Sequence, residues 1–498
     1  LASTSKVYNN ILSFTLQNND ASIMSTNRRS FLRNITLGSG ALAVGLPAWA
    51  ATDEQRDEAL QRTYNWAAGA QRFNMSGYAA PKIDKVRIGF IGLGMRGPGA
   101  VDRMSHIEGV EIKALCDKDP KRAAAAQTYL TKRGLPQAKE YSGENGWKDM
   151  INTEELDLVY ICTPWHLHTP MALYAMERGK HVACEVPIAV TLDECWQLVE
   201  TSEKTRKHCM MLENCCYDFF EMLTLNMARN GMFGELVHAE GAYIHDLRDL
   251  NFSKTGYADM WRLKENFRNG SLYPTHGLGP VAQCLNINRG DKLSHLVSMS
   301  SGDFMMGEMA REKAAQDPFY QPFVGKTYRG NMNTTLVHTD KGKTIMIQHD
   351  VTSPRPYSRI HLISGTKGAA QKYPAPERIA FGHSWVKSEE LKDLYAKYTP
   401  PIIKHVGEIA KQIGGHGGMD FIMDWRLIDC LRNGLPLDQD VYDGALWSAV
   451  APLSERSVAK KSRTVDVPDF TRGSWKTNKV VNLTLEGGGN TAVRQKAL

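Results

Sequence analysis

The stretch KVRIGFIGLGMRG, ending at Gly97, constrains the fold more than any other part of the chain. An apolar strand runs into Gly92, Gly94 and Gly97, and Pro98 suits an early position of a following helix. Glycines at this spacing let the backbone turn tightly and approach a pyrophosphate at a helix N-terminus. A lone Gly-x-Gly-x-x-Gly is weak evidence. Here it follows a strand, opens a helix, and has the acid Asp117 closing the next strand, VEIKALCD, at about the ~20-residue spacing that the motif calls for. A carboxylate at Asp117 accepts hydrogen bonds from ribose hydroxyls and repels a 2′-phosphate. NAD is therefore expected over NADP, with Arg96 nearby weakening that preference.

Further strands alternate with helical stretches: LDLVYICTP, then HTPMALYAMERG, HVACEV and HCMMLEN. This alternation predicts a doubly wound parallel (Rossmann) sheet over residues 81–215, an α/β class fold. Ligands of such sheets lie beyond the carboxyl ends of the strands. Trp165, His166, Leu167 and His168 are thus expected beside the nicotinamide half, with Glu185 and Val186 next along. Asn214 is placed to bond a ribose or the carboxamide. His166 and His168 suit capping of the helix that starts there equally well. Runs such as KTIMIQHDV and RIHLISG within 290–365 alternate as an antiparallel sheet would. Residues 216–475 are expected to form a second, α+β domain, 51–80 a helical arm, and 476–498 a tail of low apolar content, expected to be disordered.

The N-terminal segment TNRRSFLRNITLGSGALAVGLPAWA pairs Arg28-Arg29 with a short apolar run and an Ala-x-Ala end. That is the layout of a removable export signal, here of twin-arginine type over 24–50, too short to span a bilayer. A periplasmic or exported protein is expected. Residues 1–23 precede Met24 and have no signal character. Lys6, Arg28, Arg29 and Arg33 against Asp20 account for half of the net charge of +6, and no basic run with interleaved aromatics argues for nucleic acid. None of the 9 cysteines forms a Cys-x-x-Cys pair. Neither a metal site nor a disulfide framework is indicated.

In order, GLGMRG, CDKDPKRA, CTPWHLH, CEVP and ENCCYD resemble the glucose–fructose oxidoreductase / inositol dehydrogenase superfamily. The resemblance implies a nucleotide domain followed by an α+β domain with an open, mostly antiparallel sheet, which often pairs with its copy in a homodimer. In oxidoreductases of that superfamily the fourth-strand signature is Glu-Lys-Pro, and the lysine helps remove the hydroxyl proton during hydride transfer. Glu185-Val186-Pro187 departs from it, which argues against ordinary dehydrogenase activity. AYIHDLR, WRL, YPTHGLGP, SPRPYSR and GGHGGMDF look like glycoside hydrolase family 109, NAD-dependent glycosidases that include α-N-acetylgalactosaminidases and in which the valine is usual. That resemblance implies cofactor contacts at Met95, Arg96, Asp117, Trp165 through His168, Glu185, Val186 and Asn214. It implies substrate contacts at Tyr243, Arg262, Tyr273, Pro274, Thr275, His276 and Tyr357.

A direct glycosidase needs two carboxylates flanking the scissile bond, ~5–9.5 Å apart. Only Asp246 and Asp249 stand out as a pair. NAD offers another route: oxidising the sugar at C3 acidifies the C2 hydrogen, elimination expels the aglycone, water adds, and the hydride returns. Such a route needs proton carriers. His276, in the Gly/Pro-punctuated loop YPTHGLG, offers an imidazole for proton transfer, and Tyr243, on the expected strand LVHAEGAYIHD, is an acid or, with a lowered pKa, a base. Arg262 offers a fork of donors to a hydroxyl or acetamido oxygen. His416 in GGHGG is a rival base, while Asp420 suits the first turn of the helix that follows. Tyr243, Tyr357 and Trp261 equally suit packing roles. A sugar oxidoreductase releasing NADH and a non-catalytic, NAD-containing sugar-binding protein remain as alternatives.

Overall fold

Strand β1 (Val86–Ile91) lies at the centre of a six-stranded parallel sheet. Around it run β2 (Val110–Asp117), β3 (Lys139–Ser142), β4 (Leu158–Ile161), β5 (His181–Cys184) and β6 (Cys209–Met211), in the order β3-β2-β1-β4-β5-β6. The computed structural model describes residues 69–480 and 483–494. Strands β4, β5 and β6 are buried along their whole length, as unbroken apolar runs covered by helices on both faces must be. The strand order reverses between β1 and β4, which opens a crevice at their carboxyl ends. Helix α1 (Gly97–Ser105) starts with Pro98 in its first turn, and α2 (Pro120–Lys132) is capped by Asp119, whose side chain accepts from Lys121 N. Strand β3, with the sequence KEYS, is a largely exposed edge without apolar periodicity, so nothing in the residue pattern announces it.

The second sheet has nine strands. Its centre is β7 (Leu236–Ile244), followed by β8 (Leu293–Ser300), β9 (Asn333–Thr339), β10 (Thr344–Asp350) and β11 (Leu362–Gly365). Short strands β12 (Gly368–Gln371), β13 (Arg378–Phe381), β14 (Ser384–Trp385) and β15 (Val465–Asp466) complete it, in the order β14-β13-β12-β11-β7-β10-β9-β8-β15. All pairings are antiparallel except β7 with β10. Helix α3 (Thr275–Cys284) lies directly on β7. A Cβ on Gly277 would come 2.3 Å from Ala242 N, and one on Gly241 would come 2.3 Å from Gly277 O, so only glycine at both positions permits this backbone contact.

The chain then returns to the first sheet. Helix α4 (Pro401–Ile413) leads through a glycine-rich turn into α5 (Met419–Asn433), which packs on α1 and β1, and α6 (Val441–Ala459) packs on both β6 and β8. Helix α5 thus covers the first sheet, and α6 packs on both.

Two expectations about the ends are corrected where residues are described. Residues 69–80 form turns and no helix, with Met75 N donating to the Tyr442 hydroxyl; the rest of the expected arm, and the whole export signal, lie outside the described residues. The described part of the tail is ordered. Val493 bridges to Ile107, Trp425 Nε1 donates to Thr491 O at 2.9 Å, and Arg494 donates to the carbonyls of Ser105 and Val110. Backbone and arginine hydrogen bonds thus supply what apolar content does not. The nine cysteines are free thiols, eight of them buried.

Candidate active site

The cofactor end is built by the first βα turn. Gly92 has φ +88°, and a Cβ on Gly97 would lie 2.0 Å from Gly92 O, so the start of α1 sits against the loop as closely as a backbone can. Asp117 ends β2 with its Oδ2 accepting from Leu93 N at 2.6 Å and its Oδ1 accepting from Asp119 N at 2.9 Å. This carboxylate braces the glycine loop and faces the cleft, where a ribose would lie. The positive helix end, the glycine cradle and the acid at the strand mouth fit a dinucleotide. The cation beside Asp117 is Arg122, with Nη1 at 3.9 Å from Oδ1. Arg96 instead binds Glu185 Oε1 at 2.9 Å and Asp420 Oδ2 at 3.2 Å, so it does not offset the effect of Asp117 on cofactor choice.

One cleft of about 970 Å³ continues from there to the second sheet. Gly92, Gly94, Met95, Arg96 and Asp117 line it at one end. Trp165, His166, Leu167, His168, Glu185, Val186 and Asn214 follow along the mouths of β4, β5 and β6, and Tyr243, Arg262, Tyr273 and His276 line it from the second half. Gly97, Pro274, Thr275 and Tyr357 do not line it. Gly97 acts through packing, Pro274 and Thr275 start α3, and Tyr357 touches the site indirectly, its ring 5.1 Å from His245 and 6.2 Å from Tyr243. The two ring nitrogens of His168 lie 2.7 Å from the carbonyls of Pro187 and Thr163, so the ring ties the loops after β4 and β5 together.

His276 does not sit in a loop. It is in the first turn of α3, which the Gly241–Gly277 contact presses onto β7, bringing its ring 5.3 Å from Tyr243. Behind it, Nδ1 lies 2.6 Å from Oε1 of Glu213, a fully buried residue. Burial by itself would raise that carboxyl, but the His276 ring and its hydrogen bond hold it below the usual carboxylate range. An ionised Glu213 fixes the proton on Nδ1 and leaves Nε2 as the basic nitrogen, with the Tyr273 hydroxyl 3.4 Å away. Glu213 was not anticipated. Its one signal was its place immediately before Asn214 at the carboxyl end of β6.

Burial pushes the Tyr243 phenol up and Arg262 only partly opposes this, which favours an acid role over a base role; its hydroxyl lies 3.1 Å from Nδ1 of His245, another cleft residue that the sequence did not point to. Arg262 stands among rings, its guanidinium 5.3 Å from Trp165, 5.4 Å from Tyr257 and 5.2 Å from Tyr273. It donates to the Tyr257 hydroxyl at 2.9 Å, and among the described residues no carboxylate pairs with it. A charged fork left without an anion in an aromatic cleft is suited to oxygen-rich ligands. Trp165 stacks on Tyr273 at 5.5 Å and meets Trp261 edge-on at 5.2 Å, and the three rings give the cleft an aromatic side.

Asp246 and Asp249, the one carboxylate pair that stands out in the sequence, do not line the cleft. Both oxygens of Asp246 are taken by Arg248, at 2.9 and 2.8 Å. Glu213, Cys215 and His276 bring three potential metal-ligand atoms within 4.8 Å of one another. Within this group Glu213 and His276 bind each other at 2.6 Å. His416 lines the cleft but its Nδ1 is held by Asp420 at 2.9 Å. Asp420 is wholly buried and does far more than serve a helix's first turn. Burial would raise it, yet His416, Arg96 and Arg103 hold it well below the usual carboxylate range.

Residues 217–477 match the family model described as glycosyl hydrolase 109, C-terminal domain, and residues 86–213 match the oxidoreductase family, NAD-binding Rossmann fold. Glycosyl hydrolase family 109 protein 1 of Bacteroides fragilis (strain YCH46) is 49% identical over 465 residues, spanning 88% of this chain and 97% of that one. A Bacteroides fragilis protein (strain ATCC 25285) named alpha-N-acetylgalactosaminidase is 52% identical over 408 residues, 80% of this chain and 95% of its own. Levoglucosan dehydrogenase in complex with NADH and levoglucosan superposes with a TM-score of 0.57 at 18% identity, over 77% of this chain and 100% of that one. Aldose-aldose oxidoreductase from Caulobacter crescentus, complexed with glycerol, gives 0.54 at 18% identity, with the same shares of the two chains. At that identity the two structures speak for the fold alone.

Proposed function

The chain belongs to glycosyl hydrolase family 109, a glycoside hydrolase with an NAD-binding Rossmann domain, and on that premise we propose that it cleaves α-N-acetylgalactosaminides or closely related glycosides by a transient oxidation of the sugar. The observation that carries this reading is the Glu213–His276 pair beside Tyr243, in a cleft where Val186 stands in place of a lysine. Bound NAD supplies a reversible two-electron oxidation at C3, which acidifies the C2 hydrogen so that the C1 substituent is eliminated, water adds, and re-reduction leaves the cofactor unchanged.

The chain's own residues bind, orient and move protons. His276 takes a substrate proton at Nε2, doing the work that the superfamily's lysine does elsewhere, and Glu213 stabilises the resulting imidazolium. Tyr243, kept protonated by burial, donates to an oxygen of the departing or reacting group. Arg262 pins a hydroxyl or the acetamido oxygen, and the Trp165–Tyr273 wall holds the ring face and excludes water. The aromatic wall and the unpaired guanidinium support an amidated sugar as substrate.

The test is an aryl α-N-acetylgalactosaminide in heavy water. Release of the aglycone with deuterium at C2 and no accumulation of NADH is expected. Aglycone without deuterium would mean direct hydrolysis, NADH formed in proportion to sugar would mean a dehydrogenase, and no reaction would leave a binding protein. Export through the twin-arginine segment is proposed from Arg28-Arg29 and the run that follows. Lysines at both positions should retain the protein inside the inner membrane; unchanged periplasmic recovery would reject that route.

A further inference from the structure

The GGHGG segment and the aspartate after it have no part in the chemistry above, yet they bind several residues of the cofactor end. We propose that Asp420 is a positioning residue that keeps NAD from leaving between turnovers, by holding three cleft residues from separate parts of the chain in one arrangement. This rests on the reading that the cofactor is recycled rather than released.

Four groups converge on this carboxylate. Its Oδ1 accepts from Asn214 Nδ2 at 2.5 Å. Its Oδ2 lies 3.2 Å from Arg96 Nη2, 2.9 Å from His416 Nδ1 and 3.6 Å from Arg103 Nη1. Arg96 caps α1 at the glycine loop, Asn214 follows β6, and His416 lies between α4 and α5. All three line the cleft, whereas Asp420 does not. Their common anchor is thus out of reach of any ligand, which makes it a support rather than a contact.

The strap is shaped for this position. Gly414, Gly415, His416, Gly417 and Gly418 all have positive φ, a run that four glycines make possible. A Cβ on Gly415 would come 2.6 Å from Asp420 Cβ, so glycine lets the strap lie directly on the aspartate. A cofactor reoxidised and reduced within one visit must dissociate more slowly than the enzyme turns over. With its anchor gone, Arg96, Asn214 and His416 would each move independently, and bound ligand would pay the ordering cost that the protein now meets in advance.

The experiment follows release of labelled NAD from loaded protein into excess unlabelled NAD, for wild type, Asp420→Asn and His416→Ala, at a temperature where circular dichroism shows each variant folded. Release from Asp420→Asn should be about tenfold faster or more, as loss of a charge-assisted anchor implies. Its apparent KM for NAD should rise correspondingly, while kcat at saturating NAD returns close to wild type. His416 has a half-exposed side chain, so His416→Ala tests the same contact even if Asp420→Asn does not fold, and it too should release faster. Unchanged release from His416→Ala overturns the proposal. So does a kcat that saturating NAD fails to restore, because that marks a merely structural role. A wild type that cleaves glycosides while exchanging NAD freely overturns this inference alone. A wild type that holds NAD but cleaves nothing overturns the glycosidase reading, and the variants' release rates still decide the role of Asp420.

Discussion

His276→Ala is expected to lower turnover of an aryl glycoside by ~10²–10⁴-fold, the span that a positioned general base contributes, while leaving NAD bound. The size follows from what stands around the ring. Val186 can neither give nor take a proton, burial keeps Tyr243 protonated, and Nδ1 of His416 is committed to Asp420. None of these three readily takes the place of Nε2. NAD should stay because the glycine loop, Asp117 and Asn214 lie on the other sheet and owe their positions to other contacts. Glu213→Gln should lose turnover in the same direction: its amide NH2, turned toward Nδ1, would favour the tautomer with the proton on Nε2, where the base is needed. Turnover within a few-fold of wild type for His276→Ala would remove it as the base. Turnover and NAD lost together would make it a structural residue.

Gly97→Ala is the second large effect, expected on binding rather than chemistry. The added Cβ would lie 2.0 Å from Gly92 O, and that carbonyl has little room to retreat. Gly92 N is bound to Cys116 O at 2.9 Å, and the space on its other side is closed by the Cys162 carbonyl, 2.8 Å from where a Gly92 Cβ would be. The start of α1 must therefore move away from the loop, which opens the cradle of backbone N–H groups that would face the pyrophosphate. NAD affinity should fall by roughly 10²-fold or more, equivalent to about 2.7 kcal/mol, with a further stability loss of ~1–3 kcal/mol from overpacking. Gly146→Ala is the control, at a glycine that does not line the cleft. Its Cβ would meet the Tyr141 backbone carbon at 3.4 Å and Cys116 Sγ at 3.7 Å, ordinary van der Waals contacts. Calorimetric titration of NAD into both variants distinguishes them, and equal affinities would show that the Gly92–Gly97 contact is not what shapes the site.

How legible each part of the protein was depends on how local its cause is. The dinucleotide half could be read because its signals are contiguous: buried parallel strands appear as unbroken apolar runs, and the turn that receives the cofactor is written in the three glycines of GLGMRG. Strand β3 escaped because an exposed edge of four residues has no apolar period. In the second half the alternating runs disclosed strands but not their partners. Only the folded chain shows that β7 lies at the centre, parallel to β10.

The residues themselves determined a nucleotide-binding α/β fold, the acid that favours NAD, and a histidine, a tyrosine and an arginine with the right chemistry for a sugar. Tertiary structure alone decided what those groups do. It placed Glu213 behind His276 across a glycine-to-glycine contact between α3 and β7, and it buried Tyr243, which pushes its phenol up. It also turned Asp420 from a helix's first-turn acid into the anchor of three distant residues. The reason is common to all three. A side chain's type is local, but its proton affinity and its partners depend on burial and on charges brought near by chain segments far apart in sequence, and these exist only once the chain has folded.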